Sequence, residues 1–187
     1  SVPATGGTPV AVTTLDTTAG EISHRFPQLL PDGKTVIFTV KHNNITTFDD
    51  AVIIAQQLDN GERKILVRGG AYAKYIPSGY LMYMRGNAIL AVQFDPEQLE
   101  VKGTAIPVEE GGWFLQGAGN ANVDFSTNGT LVFAPKGTQT GNANSIAWMD
   151  RIGTTYSLYD TLRPYTVAVL SPDGQKIALG INAANND

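Results

Sequence analysis

Apolar and polar residues alternate in short runs along this chain, and no segment carries a convincing helical stripe. Thr8 to Leu15 sets Val10, Val12 and Leu15 against polar neighbours, the mark of a half-buried strand. Further runs predict strands at roughly 24–30, 35–41, 51–58 and 63–67, then 72–76, 80–84, 88–94 and 105–109. A third set falls at 121–125, 130–134, 145–149 and 155–159, and a last pair at 166–170 and 176–181. Pro96-Glu97-Gln98-Leu99-Glu100 fits a single helical turn and nothing longer.

The connections between runs repeat a grammar. Leu30-Pro31-Asp32-Gly33, Ile76-Pro77-Ser78-Gly79, Ser126-Thr127-Asn128-Gly129 and Ser171-Pro172-Asp173-Gly174 each join two apolar runs. Proline presets φ at the second turn position, and glycine takes the left-handed conformation that closes the hairpin. The glycines are 46, 50 and 45 residues apart. A second anchor, Leu58-Asp59, Phe94-Asp95 and Met149-Asp150, ends the third run of each repeat. A period of about 40–50 residues is that of a four-stranded propeller blade. The expected fold is therefore all-β, a β-propeller of four-stranded antiparallel blades. Residues 1–187 make one domain, with blades near 24–68, 69–110 and 120–160 and a partial blade at 164–187. Strand 8–15 is expected to complete another blade, and open strand edges predict self-association.

Ser171-Pro172-Asp173-Gly174-Gln175-Lys176-Ile177-Ala178 resembles the signature of TolB-like propeller repeats, relatives of the WD repeats. Ser23-His24-Arg25-Phe26-Pro27-Gln28 followed by Leu30-Pro31-Asp32-Gly33 resembles propellers attached to bacterial serine/threonine kinases. The resemblance covers essentially the whole chain and rests on turn motifs, so it implies fold far more than activity. Such propellers carry six or more blades, against three full ones counted here. The resemblance also implies a bacterial, extracytoplasmic setting.

Composition narrows the function. Charged residues make up 16%, glycines number 20, and the net charge is -4, with no cluster of more than two adjacent basic residues. That excludes the basic footprint of a nucleic-acid binder. Cysteine is absent, which removes disulfides and thiolate chemistry, and no apolar run has the length of a membrane span. The two histidines, His24 and His42, lack zinc-ligand spacing, no nucleophile elbow is present, and no cofactor is expected. Asp49-Asp50 is a weak cation candidate, set against plain solvation.

Propeller geometry collects the long loops 42–50, 111–120 and 135–144 on one face, and binding residues favour such loops. The inner strands begin on that face, which places His24, Arg25, Tyr72, Lys74, Asn120, Asn122 and Tyr165 at the channel mouth. Those groups suit a small anionic or sugar-like ligand or a peptide end. Trp113-Phe114-Leu115 is either tucked over a blade or offered to a partner. The expected function is a non-catalytic propeller module that binds a protein or peptide, not an enzyme. An accessory propeller that gates substrate for a peptidase is the alternative, and a propeller enzyme using His24 and Arg25 ranks third.

Overall fold

The computed structural model describes residues 1–3, 5–126, 130–134, 144–150 and 152–181. It is an all-β chain of antiparallel meanders. The first sheet runs β1 (Glu21–Leu29), β2 (Thr35–His42), β3 (Val52–Gln57), β4 (Arg63–Arg68). The second runs β5 (Ala71–Ile76), β6 (Tyr80–Arg85), β7 (Ala88–Asp95), β8 (Glu100–Glu110). A short hairpin, β9 (Phe114–Leu115) with β10 (Asn120–Ala121), precedes the third sheet. That sheet runs β11 (Val123–Phe125), β12 (Leu131–Phe133), β13 (Asn144–Met149), β14 (Thr155–Arg163). Among the described residues, strands β15 (Tyr165–Leu170) and β16 (Ile177–Ile181) pair only with each other.

The repeated turns work as their composition dictates. Gly33, Gly79 and Gly174 have φ of 66°, 88° and 69°. Each donates its N–H three residues back, to Leu30, Ile76 and Ser171. Asp32 accepts the Lys34 and Thr35 amides, and Asp173 accepts that of Gln175. The turn at 126–129 and the loop 135–144 lie largely outside the described residues.

Alternate residues of neighbouring sheets fill the space between them. Ile37, Ile53 and Leu66 of the first sheet meet Ala73, Leu81 and Val92 of the second. Met82, Met84 and Ile89 on the second sheet's other side meet Val123, Phe133 and Met149. Phe114 is buried in that second core, so the apolar loop cluster is tucked, although Leu115 stays 47% exposed.

Three local readings change. Residues 8–15 form no strand; this segment is held to the first sheet by that sheet's side chains, His24 at the Thr13 hydroxyl, Arg63 at the Thr14 carbonyl and Glu21 at the neighbouring Asp16 amide, rather than by a backbone ladder. Residues 96–99 form a turn and not a helix, because Asp95 accepts the Glu97 and Gln98 amides and Leu99 takes φ 51°. The β9–β10 hairpin appears where only a loop was expected; its two-residue strands are too short for alternation to register.

Candidate functional site

Two of the long loops do meet on one face. Phe48 opens a single 3-10 turn, Phe48–Asp50, in the β2–β3 loop, and its amide donates to the Gln116 carbonyl at 2.8 Å. Asp49 accepts the Gly86 amide at 2.5 Å and Gln116 Nε2 at 2.7 Å. Asp49, weighed above as a cation ligand, thus knits three connections together. No group of three potential metal-binding side chains occurs among the described residues. Phe48 itself is fully buried and forms the floor of the face.

Cations gather over that floor. The Arg25 guanidinium lies 5.1 Å and the Lys41 ammonium 5.0 Å from the Phe48 ring centroid. Arg25 Nη1 also donates to the Ala118 carbonyl at 2.8 Å. The Lys74 ammonium sits 5.9 Å from the Tyr72 ring, and Phe26 meets both aromatic rings at a tilt, 5.0 Å from Tyr72 and 6.5 Å from Phe48. Register explains the grouping: Ser23 pairs with Lys41 and Arg25 with Thr39, so all four side chains share one face of the sheet. Arg25, Lys41 and Lys74 belong to no ion pair among the described residues. Ser23 Oγ, on the same face, is buried without a hydrogen-bond partner.

Bulges aim the aromatics. Phe26 and Tyr72, 46 residues apart, have φ of 56° and 58° where their strands lose register. A left-handed aromatic residue costs about 1–2 kcal/mol, so surrounding contacts must hold it. The fully buried Thr39 hydroxyl accepts the Tyr72 amide at 3.2 Å. Burial, with a smaller contribution from the Asp124 charge, pushes the Tyr72 phenol up, so it stays a neutral donor at ordinary pH.

The seven residues named from sequence divide into four places. Arg25, Tyr72 and Lys74 join the patch. His24 points through the sheet instead, with Nδ1 at 2.8 Å from Thr13 Oγ1 and Nε2 at 2.9 Å from Glu21 Oε2. Its ring packs on Phe38 at 4.6 Å. Burial pushes the Glu21 carboxyl up, but the Asp16 amide, His24 and Arg63 outweigh it and hold the group below the usual carboxylate range. Asn120 sits in the short hairpin opposite Leu115. Asn122 is buried and donates to the Tyr165 carbonyl at 3.5 Å, and Tyr165 lies in the core between the third sheet and β15. Lys41, Phe48, Phe26 and Ser23 were missed as site residues. The two-residue alternation from Thr39 to Lys41 carried a signal for one of them; Phe48 stands in a loop and gave none.

No protein-family model matches the sequence, and no curated protein matches it. Among solved structures, the fold is similar to that of regucalcin from Agrobacterium tumefaciens, described as a calcium-binding protein. The TM-score is 0.53 at 12% identity, over 83% of this chain and 52% of that one. This chain thus spans about half the length of regucalcin, whose fold is of the β-propeller type. The likeness carries the propeller-type architecture; it does not single out TolB-like or kinase-attached propellers. It also corrects the expectation that the chain is not an enzyme. That expectation rested on motifs absent from the sequence, such as a nucleophile elbow, whereas the matching fold is that of a protein described as calcium-binding, and fold does not dictate activity.

Proposed function

We propose that this chain is a binding unit of a TolB-like propeller whose loop-bearing mouth takes an acidic peptide segment or the carboxylate end of a partner protein. One observation carries the reading. Three cations, Arg25, Lys41 and Lys74, lie over the aromatic rings of one patch and form no ion pair among the described residues, in a chain whose net charge is -4. Unpaired cations held close together repel each other, and an anion relieves that repulsion. Aromatic faces beneath them hold the ammonium and guanidinium groups in place. The neutral Tyr72 phenol adds a donor, and apolar side chains of a peptide can rest on Phe26. On this reading the four-stranded sheets are blades, and β15–β16 is half of another.

The test is calorimetric titration with an acetylated hexapeptide, Ala-Ala-Phe-Glu-Asp-Glu, carrying a free carboxylate. Arg25→Ala, Lys41→Ala and Lys74→Ala are each expected to weaken binding about tenfold, about 1.4 kcal/mol. Equal affinity across wild type and the three variants would place the ligand elsewhere.

A further inference from the structure

The two inter-sheet cores are built differently, and the difference leaves a cleft. Between the first and second sheets, Gln28 acts as a clamp: Oε1 accepts the Tyr75 amide at 2.6 Å and Nε2 donates to the Tyr75 carbonyl at 3.2 Å. Between the third sheet and β15, Asp124 plays the same part and accepts the Leu170 amide at 2.9 Å. Gln28 and Asp124 each stand five residues before the glycine of their repeated turn, Gly33 and Gly129. At that position in the second sheet stands Lys74, which has no acceptor atom and makes no such bond.

A plug is missing at the same interface. Leu99, four residues after Asp95 in the β7–β8 turn, is 9% exposed and buried in the first core. Thr154 holds the matching place after Asp150 in the β13–β14 turn, and it is exposed. The outer strand is uncovered as well. Val67 of β4 is 9% exposed, whereas Ile106 of β8, opposite Ala91 and so on the face toward the third sheet, is 58% exposed. What remains between the second and third sheets is a cavity of about 610 Å³, walled by Ile76, Tyr80, Met82, Phe125, Leu131 and Met149.

We infer that this cleft is a binding site for a small apolar molecule with one hydrogen-bonding end. Its volume lies inside the range of about 300–1,000 Å³ typical of small-molecule sites, and its walls are apolar with few polar groups, as such sites require. Those groups are in place. Ser78, Tyr80 and Asp150 are the polar lining residues; Asp150 is engaged by the Ile152 and Thr154 amides, whereas the Ser78 and Tyr80 hydroxyls have no hydrogen-bond partner among the described residues. A bound molecule would replace solvent at these two hydroxyls while its body covers the apolar wall. The site is separate from the basic patch, which lies on the face of the long loops, whereas Ser78 and Gly153 bring the cavity to the face of the tight hairpins.

The test uses 1-aminoanthracene, an uncharged amphiphile whose fluorescence rises in apolar surroundings. Wild-type protein should give a saturable one-to-one rise. Ala91→Phe, which fills the inner wall, and Ile106→Trp, which blocks the mouth from an exposed position, should each weaken it at least tenfold. If Ala91→Phe does not fold, Ile106→Trp decides alone, since an exposed site tolerates the larger ring. No saturable rise, or a rise kept by the cleft-blocking variants, overturns the inference. A rise that fades as protein concentration increases overturns it too, and assigns the cleft to a second copy of the chain.

Discussion

Glu21 shows how single residues tie this molecule together. Its carboxylate accepts the Asp16 amide at 2.7 Å, His24 Nε2 at 2.9 Å and Arg63 Nη1 at 3.0 Å, while Arg63 Nη2 reaches the Thr14 carbonyl at 2.5 Å. The N-terminal segment is thereby strapped across the first sheet. Because these partners hold the Glu21 carboxyl below its unfolded value, the stabilisation is present above the unfolded pKa and is lost as pH falls through the folded one. Glu21→Gln is expected to cost about 1.5–3 kcal/mol near neutral pH, since it weakens hydrogen bonds to a charged group. Melting curves of both proteins should then converge as the solution is acidified below about pH 4.3. A constant gap across that range would assign the loss to something other than the carboxylate's charge.

At the scale of elements, the patch depends on a close approach. A Cβ added to Gly119 would lie 2.5 Å from the Phe48 ring, and φ there is 78°. Gly119→Ala must push the 111–120 loop off the 3-10 turn or tilt Phe48, the floor beneath Arg25 and Lys41. A stability loss of about 1–3 kcal/mol is expected by thermal melting, together with weaker peptide binding. Wild-type melting and binding would mean that the loop has slack the geometry does not show.

The elements also show what sequence could and could not say. The hairpins were legible because Pro-Asp-Gly chemistry is local: Gly33 and Gly174 need nothing beyond their own turns. Residues 8–15 alternate like a strand, yet alternation cannot report whether a partner strand is within reach. His24 was placed at the mouth, but a strand sends neighbouring side chains to opposite faces, and the bulge between Arg25 and Gln28 shifts that phase. Phe48 and the Gln28 clamp depend on contacts between distant segments, which no local pattern encodes.

The whole molecule repeats a four-stranded meander and then presents a two-stranded one. The outer edge of β16 has no neighbouring strand among the described residues, and Val167, Val169 and Ile181 are 50%, 44% and 43% exposed. Unpaired edges of this kind recruit other chains, and self-association follows as an expected outcome. Light scattering after size-exclusion chromatography should give a mass above 19.9 kDa that falls toward it when Ala178→Pro removes an amide from β16. A strictly monomeric chain at all concentrations would contradict the open edge. As for membranes, no helix among the described residues is long and apolar enough to cross one.

The most direct test of the central claim reverses the charge of the patch. Lys74→Glu is titrated with the acidic hexapeptide and with a partner in which lysines replace its three acidic residues. The account predicts that wild type binds the acidic peptide, that added salt weakens this binding, and that the variant loses it and gains affinity for the lysine peptide. Unchanged preference for the acidic peptide in Lys74→Glu would show that the patch is not where recognition occurs.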